Sequence, residues 1–152
     1  MLLAIDIGNS NIVIGGIQDD KIVFEARIAT DRIKTSDQYG VEIKNILSLF
    51  EVPVETVEDV IISSVVPPVF NAVRTGAYKV TGLTPMVVGP GIKTGMNVRV
   101  DDPKSLGADI LADCAGAYYE YGGPVRVADF GTATTFNVID ENKVFRGGVI
   151  CP

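Results

Sequence analysis

The fold is decided by residues 2–29, whose sequence is LLAIDIGNSNIVIGGIQDDKIVFEARIA. An apolar run at its start is followed by the turn residues Gly8, Asn9 and Ser10, and a β-branched run resumes at Ile12. The acidic turn at residues 19–21 leads into a third apolar run. Runs of this length, bounded by Gly, Asn and Asp, are typical of strands joined by tight turns. The stretch therefore predicts three consecutive strands.

Helical and buried-strand patterns follow these three strands. Thr35 and Gln38 match a capping box, and apolar residues recur at helical spacing behind it, which predicts a helix over residues 36–51. A β-branched run at residues 60–62 predicts a buried strand, and residues 69–80 are expected to form a second helix. The order of elements is then βββαβα, which is typical of an α/β domain.

A third helix and three more strands complete the pattern. Residues 89–95 are rich in glycine and are expected to form a loop. Asp102 and Pro103 match an N-cap followed by a proline in the first turn, which predicts a helix that reaches about Tyr121. A strand is predicted at residues 125–128, and two short strands follow it.

The start of the chain and its last segment share one pattern. Residues 4–10, AIDIGNS, and residues 127–134, VADFGTAT, each lead an apolar strand into Asp-x-Gly and a polar turn. Each then continues to an acidic turn with Lys, and a Phe follows on the third strand, Phe24 and Phe145. Repetition of one unit predicts two like-folded domains that face each other. The second copy has only its first three strands, so we expect one bare sheet face and an incomplete domain.

Composition excludes several classes of function. The chain has 152 residues, a formal charge of -6 and no His, so Ser-His or Cys-His catalytic pairs and His metal sites are absent. The negative charge disfavours nucleic acid and anionic membranes as partners. Cys114 and Cys151 lack a CxxC spacing and are expected to be buried free thiols. Without a membrane-length apolar run or a basic leader, we expect a soluble, cytoplasmic product.

The two Asp-x-Gly turns are suited to a nucleotide. Gly8 and Gly131 have no Cβ, so backbone amides can approach a ligand closely. Donor side chains surround them, namely Asn9, Ser10, Asn11, Thr132, Thr134 and Thr135. Such donors hold phosphate oxygens, while the adjacent carboxylate orients magnesium or its waters. The alternative is an ordinary hairpin turn, but two copies at corresponding places favour the nucleotide site.

Asp109 is a second candidate. It falls at the edge of the apolar stripe of the third predicted helix, next to Leu106. A carboxylate that is half shielded there accepts a proton from a substrate hydroxyl as a general base. The alternative is a solvated acid on a helix face, and the spacing alone favours that alternative.

Taken together, these residues resemble the type III pantothenate kinases, members of the acetate and sugar kinase/Hsp70/actin superfamily. The resemblance covers the whole chain in order, and the matching stretches are residues 6–11, 30–40, 63–67, 91–95, 102–109, 129–135 and 147–150. It implies an α/β fold in which residues 1–118 form a ribonuclease H-like/actin-like ATPase domain (βββαβα). Residues 119–152 would be the first strands of a second, similar domain, which family chains continue further.

The resemblance implies phosphoryl transfer from ATP to the primary hydroxyl of pantothenate, the first step of coenzyme A biosynthesis. The implied ATP-binding residues are Asp6, Ile7, Gly8, Asn9, Ser10, Asn11, Ile12, Val13 and Thr132. The implied pantothenate-binding residues are Gly107, Ala108, Asp109 and Ile110, with Asp109 as the proton acceptor. Asp129 would bind the monovalent cation, potassium or ammonium, and Asp6 would serve magnesium-ATP. The family also implies a homodimer whose interface helps to form the pantothenate pocket.

The chain departs from the family pattern at three positions. Ile110 stands where the family usually has Arg, Val100 where Tyr is frequent, and Asn137 where Asp is usual. An arginine makes charge-assisted hydrogen bonds that isoleucine cannot make. A chain that ends at Pro152 is expected to be inactive alone, since family members continue with adenosine contacts and a substrate-side threonine. A non-catalytic nucleotide-binding paralogue with a regulatory role, or a kinase for another small hydroxyl compound, stays open.

Overall fold

Two β-sheets organise the chain in a computed structural model that describes residues 1–89, 92–100 and 106–151. Each sheet belongs to a separate compact unit, the first being Met1–Val88 and the second Gly89–Pro152. Each unit has its own apolar core. None of the helices among the described residues has the length and apolar composition that crossing a membrane requires.

The first unit has a five-stranded mixed sheet in the order β3-β2-β1-β4-β5. Its elements are β1 (Leu2–Ile7), β2 (Asn11–Gln18), β3 (Lys21–Ala29), α1 (Ser36–Leu49), a 3₁₀ turn (Val54–Thr56), β4 (Asp59–Ser64), α2 (Pro67–Thr81) and β5 (Met86–Val87). The strands β1, β2 and β3 form an antiparallel meander, whereas β4 and β5 run parallel to β1. The predicted order βββαβα is confirmed.

Local sequence signals set the helix starts of this unit. The amide of Thr35 donates to Oε1 of Gln38 at 2.8 Å and the amide of Gln38 donates back to Oγ1 of Thr35 at 3.4 Å, so the predicted capping box is formed. The second helix begins at Pro67, two residues before the predicted start. Two consecutive prolines fit there because the first turn of a helix leaves its amides unpaired.

The core of the first unit lies between one face of the sheet and the two helices. Side chains of alternate strand residues are fully buried on that face, among them Leu3, Ile5, Ile7, Ile12 and Ile14. The helices α1 and α2 cross closely at Gly40 and Gly76, since a Cβ on Gly76 would lie 2.8 Å from the amide nitrogen of Gly40. Glycine is therefore required at this crossing, and it brings both helices onto the same sheet face.

The second unit has a four-stranded sheet in the order β6-β9-β8-β7. Its elements are β6 (Asn97–Val98), α3 (Ala108–Tyr121), β7 (Val125–Phe130), β8 (Thr134–Ile139) and β9 (Val144–Cys151). The strands β7, β8 and β9 form a second antiparallel meander, and β6 pairs in parallel with β9. The helix α3 packs on β7 and β8 around the buried residues Cys114, Ile139 and Phe145.

The third helix starts later than the sequence predicts. It begins at Ala108, and Gly107 before it is extended, with φ -60° and ψ 146°. The prediction of one unbroken helix from Asp102 to about Tyr121 is wrong because Gly107 would have to be helical, and glycine loses the most backbone entropy in a helix. Asp102, Pro103 and residues 90 and 91 of the predicted loop lie outside the described residues.

The division into compact units falls between Val88 and Gly89, and α3 packs within the second unit. The assignment of residues 1–118 to the first actin-like domain follows from the resemblance to the family, and it stays a prediction.

The two cysteines differ in their environment. Cys114 is buried as expected, and burial, helped by Asp113, raises the pKa of its thiol to about 12. Cys151 is exposed, so its expected burial is wrong, because it lies on the uncovered face of β9.

Candidate functional site

The first candidate loop is the connection between β1 and β2. The last pair of β1 and β2 is Ile7 with Ile12, so four residues, 8–11, separate the paired positions, and the last of them opens β2. The amide of Gly8 donates to the carbonyl oxygen of Asn11 at 2.9 Å and closes the turn. The side chains of Asn9, Ser10 and Asn11 lie at the surface of this turn, and Asp6 on the preceding strand is exposed. The turn thus presents amide, hydroxyl and carboxylate groups to solvent.

Thr30, the residue that follows β3, supports this turn from the neighbouring strand. Its Oγ1 donates to the carbonyl oxygen of Gly8 at 2.7 Å, and its amide donates to the carbonyl oxygen of Ser10 at 3.0 Å. Both contacts hold backbone atoms of the loop, so Thr30 sets the shape of the loop without occupying its open side. Thr30 was not among the predicted site residues, because only the register of β2 and β3 reveals the contact.

The segment after Thr30 is braced by polar contacts. The hydroxyl of Tyr39 donates to the carbonyl oxygen of Asp31 at 2.6 Å, and the amide of Asp31 donates to the same hydroxyl at 3.1 Å. Lys34 pairs with Glu42 at 2.5 Å. The hydrogen bond from Lys34 to Glu42 raises the pKa of the Lys34 ammonium above its ordinary value. These contacts anchor the segment that carries Thr30.

The second candidate loop joins β7 to β8 and is one residue shorter by strand register. Residues 131–133 connect strands whose last pair is Phe130 with Thr134. The amide of Gly131 donates to the carbonyl oxygen of Ala133 at 3.2 Å. A Cβ on Gly131 would lie 3.5 Å from Oδ2 of Asp129, so this half-buried carboxylate lies against the turn backbone. The side chain of Thr132 is exposed at the tip.

Strand register shows which residues of the two loops correspond. Asp6 pairs with Val13 across the first hairpin, and Asp129 pairs with Thr135 across the second. Each aspartate lies two residues before the glycine of its turn, so the predicted repeat of strand and Asp-x-Gly turn is present in both meanders.

The repeated Phe on the third strands is not equivalent in structure. Each meander has a bulge where its second and third strands pair. Phe24 pairs with Gly16, the last residue of β2 before the register shift, whereas Phe145 pairs with Ile139, the first residue of β8 after it. By register the counterpart of Phe24 is Gly147. A one-residue offset moves a side chain to the other face of a sheet. The two phenylalanines therefore belong to opposite faces of their sheets.

Residues 107–110 form the start of α3. Gly107 is the N-cap residue, and Ala108, Asp109 and Ile110 occupy the first turn. Oδ1 of Asp109 accepts a hydrogen bond from the amide of Ile110 at 2.7 Å, and the side chain is half-buried. The helix start thus holds the carboxylate locally through one oxygen. Asp6 to Val13 belong to the first unit, whereas Asp109, Asp129 and Thr132 belong to the second.

The three departures from the family pattern lie in or beside the core of the second unit. Ile110 and Val100 pack against the cluster of Cys114, Ile139 and Phe145. Asn137 is buried, and its Nδ2 donates to Oγ1 of Thr135 at 3.1 Å. Ile110 therefore contributes apolar packing.

Side chains suited to an all-protein metal cage do not cluster in the described part of the chain. Within residues 1–89, 92–100 and 106–151, no group of three or more His, Cys, Asp or Glu side chains could hold a metal ion. A single exposed carboxylate such as Asp6 still fits magnesium bound to a nucleotide, because that ion keeps several waters and takes one or two protein carboxylates beside the phosphates. The donor set therefore fits a nucleotide-borne cation.

The βββαβα unit, the second meander and their matching Asp-x-Gly turns define the actin-like ATPase and sugar-kinase class of folds. A Sinorhizobium meliloti protein provisionally named 2-dehydro-3-deoxygalactonokinase has a similar structure, with a TM-score of 0.55 and 14% sequence identity over 99% of this chain and 53% of that chain. At this identity the likeness concerns the fold alone. It confirms the expected α/β fold, a ribonuclease H-like/actin-like domain followed by the first strands of a similar one.

Within that class, the chain belongs to the type III pantothenate kinase family, whose model matches residues 2–152. The type III pantothenate kinase of Bifidobacterium longum subsp. infantis is 57% identical over 150 residues, which are 99% of this chain and 59% of the relative. That of Listeria monocytogenes serotype 4a is 44% identical over 152 residues, which are 100% of this chain and 59% of the relative. The chain spans about 59% of the length of these relatives.

Proposed function

We propose that this chain provides the phosphate-binding and substrate-contacting part of a pantothenate kinase. The enzyme would transfer the γ-phosphoryl group of ATP to the primary hydroxyl of pantothenate, giving 4'-phosphopantothenate in the first step of coenzyme A biosynthesis. The observation that carries the proposal is the pair of corresponding Asp-x-Gly turns in a chain of this family. One such turn is a common hairpin, but two that share the strand, the aspartate and the glycine support a repeated site.

The first turn, residues 6–13, would bind the ATP phosphates. Its Asn9, Ser10 and Asn11 side chains offer donors to phosphate oxygens, and Thr30 keeps the turn backbone in place. Asp6 would face the magnesium carried by ATP. When bound, this ion neutralises charge on the phosphates. Thr132, at the tip of the second turn, would also contact ATP.

Asp129 would hold the monovalent cation, potassium or ammonium. Its half-buried carboxylate lies against the Gly131 backbone and pairs across the hairpin with Thr135. A carboxylate, a hydroxyl and carbonyl oxygens are the ligand types that hard cations prefer. A cation held there would neutralise the charge of the carboxylate.

Residues 107–110 would lie against pantothenate, and Asp109 would accept the proton of its hydroxyl. The substrate oxygen attacks the γ-phosphorus, the bond from that phosphorus to the bridging oxygen of ADP breaks, and the hydroxyl proton moves to Oδ2 of Asp109. Oδ1 is engaged by the amide of Ile110, which fixes the direction in which Oδ2 points. Positioning and charge neutralisation account for most of the rate in such reactions, and the base adds a smaller share.

We further propose a cytoplasmic homodimer that binds neither nucleic acid nor membranes. The charge of -6 supports this, because it repels polyanions. Tyr119 and Tyr121 are each 80% exposed on α3, the helix that begins with the substrate-side residues. Tyrosine is enriched at protein interfaces, so this helix is suited to contact a second copy next to the pantothenate pocket.

The test is ADP release from ATP in potassium buffer, with and without pantothenate, from the longest product of the reading frame. The unsubstituted protein is expected to show pantothenate-dependent turnover, and Asp109→Asn to reduce kcat by about 10²-fold or more. The chain of 152 residues tested beside it is expected to be inactive. ADP release that is the same with and without pantothenate would contradict the proposed substrate and would favour a kinase for another hydroxyl compound.

A second function, non-catalytic nucleotide binding with a regulatory role, is favoured by the packing of Ile110. This side chain packs against the core of the second unit and offers no hydrogen bond to a polar substrate. The variant Ile110→Arg separates the two functions. Activity in the natural form supports the kinase, and activity gained only in the Ile110→Arg variant indicates a relative that has lost its substrate contact. ATP binding with no turnover in either form supports the regulatory role.

A further inference from the structure

A buried hydroxyl without a hydrogen-bond partner lies next to the first turn. Ser63, near the end of β4, is 7% exposed, and its Oγ makes no hydrogen bond within the described residues. The adjacent Ser64 differs, because its Oγ accepts a hydrogen bond from the amide of Val66 at 3.1 Å, where α2 begins. Buried polar groups are nearly always paired, so an unpaired one requires an explanation.

The strand register places Ser63 beside Asp6. β1 and β4 are parallel neighbours, and Asp6 pairs with Ser63. Paired residues of adjacent strands point to the same face, about 4.8 Å apart. On its other side Asp6 pairs with Val13 of β2. Of these two neighbours, Ser63 has a hydrogen-bond donor on its side chain and Val13 has none.

We propose that Ser63 is a positioning residue for magnesium-ATP and acts through Asp6. In the nucleotide-bound protein, the hydroxyl of Ser63 donates to the carboxylate of Asp6 and fixes the orientation in which that carboxylate meets the hydrated magnesium. The inference rests on the proposed ATP site. Rotation of the serine χ1 between staggered wells directs Oγ across the strand spacing to an aspartate oxygen.

Burial favours this indirect role over direct contact with the nucleotide. The Oγ of Ser63 is covered, so a phosphate oxygen does not reach it, whereas the neighbouring Asp6 is exposed. An ionised carboxylate accepts about four hydrogen bonds in all, so a bond from Ser63 leaves capacity for water bound to magnesium. The proposed hydrogen bond thus connects a buried residue of β4 with an exposed residue at the end of β1.

The test compares Ser63→Ala, Ser63→Thr and Ser64→Ala in the full-length protein. Calorimetry measures the Kd for ATP with magnesium and with excess EDTA, and thermal unfolding measures Tm. Ser63→Ala is expected to weaken magnesium-ATP binding about tenfold, with metal-free ATP binding unchanged. Its Tm should stay equal or rise, because the variant removes an unpaired buried hydroxyl. Ser63→Thr keeps the hydroxyl and should restore magnesium-ATP binding.

Ser64→Ala is the matched control, since it removes a hydroxyl that accepts a hydrogen bond at the start of α2. It is expected to lower Tm and to leave both ATP affinities unchanged. The inference is overturned if Ser63→Ala binds magnesium-ATP as the unsubstituted protein does, or if it weakens metal-free ATP equally. No magnesium-ATP binding by the unsubstituted protein would overturn the ATP site as well. If the variants bind magnesium-ATP as expected but the protein shows no pantothenate-dependent ADP release, the inference is supported and only the proposed substrate is contradicted.

Discussion

The two meanders of this chain share the Asp-x-Gly motif and bury opposite faces. In the first, α1 and α2 cover the face that carries Ile5 and Ile7. In the second, α3 packs on the face of Val125 and Val127, and the face that corresponds to Ile7 is open. Ile7 is 0% exposed, whereas its counterpart Phe130 is 79% exposed. The repeated strand pattern therefore determines the turn motif, whereas the helices that pack on each sheet determine which of its faces is buried.

This difference changes the surroundings of the two aspartates. Asp6 and Asp129 hold the same position before their turns, but Asp6 lies on the face away from α1 and α2, while Asp129 shares the face on which α3 packs. Asp6 is accordingly exposed, and Asp129 is half-buried. The exposed carboxylate suits a hydrated magnesium ion and the shielded one suits a partly dehydrated monovalent cation. The shared motif thus supports two different proposed roles.

The largest expected difference in stability comes from shortening the apolar residue that precedes the glycine of each turn, which is Ile7 in the first meander and Phe130 in the second. In the chain of 152 residues, Ile7→Ala should lower the free energy of unfolding by about 2–5 kcal/mol, because it opens a cavity in the core. Phe130→Ala should change it by at most about 0.5 kcal/mol, because the ring is exposed. Guanidinium unfolding followed by circular dichroism measures both. Equal losses would show that the Phe130 face is covered in solution and that the two meanders do not differ in this way.

An intermediate effect is expected where Thr30 supports only the first turn. Thr30→Val removes the hydroxyl that donates to Gly8 and should cost about 0.5–1.5 kcal/mol. Hydrogen exchange should become faster over residues 6–13 and stay unchanged over residues 129–135. Thr81→Val, which removes a similar bond to the Ala77 carbonyl oxygen, is the control. Faster exchange over residues 6–13 in that control would show general destabilisation instead of a local effect.

The smallest effect concerns the acidic turn between β8 and β9. Desolvation raises the pKa of Asp140, but the amides of Val144 and Asn142 and the Arg146 guanidinium outweigh it and hold the pKa below the ordinary 3.8. The stability that Asp140 contributes is therefore present above pH 3.8 and lost as the pH falls through the lower folded pKa.

Thermal unfolding from neutral to strongly acidic pH checks this dependence. Asp140→Asn should lower Tm slightly at neutral pH and should converge with the unsubstituted chain once the pH lies below the folded pKa of Asp140. Asp20→Asn, in the corresponding turn of the first meander, is the control, because the described residues show no ion pair for Asp20. A difference between Asp140→Asn and the unsubstituted chain that persists in strong acid would contradict a carboxyl pKa that folding lowers.

Local signals made much of the fold predictable. The capping box of Thr35 and Gln38, the glycine turns and the β-branched runs act over a few residues, so the order βββαβα follows from them. The start of α3 was predicted wrongly because Asp102 and Pro103 are a good start signal, but the extended Gly107 follows them. The candidate site was predictable at its turns, whereas the supports Thr30 and Ser63 depend on strand register.

The sequence by itself determined the two Asp-x-Gly turns, the order of the elements and the absence of histidine chemistry, since each depends on neighbouring residues or on composition. The tertiary structure decided which sheet face each meander buries, that Phe24 and Phe145 are not equivalent, and that Ile110 is a packing residue. Which sheet face is buried depends on helices that lie far from the motif in the chain, α1 and α2 in the first unit and α3 in the second. For that reason the same strand motif gives an exposed carboxylate in one unit and a shielded one in the other.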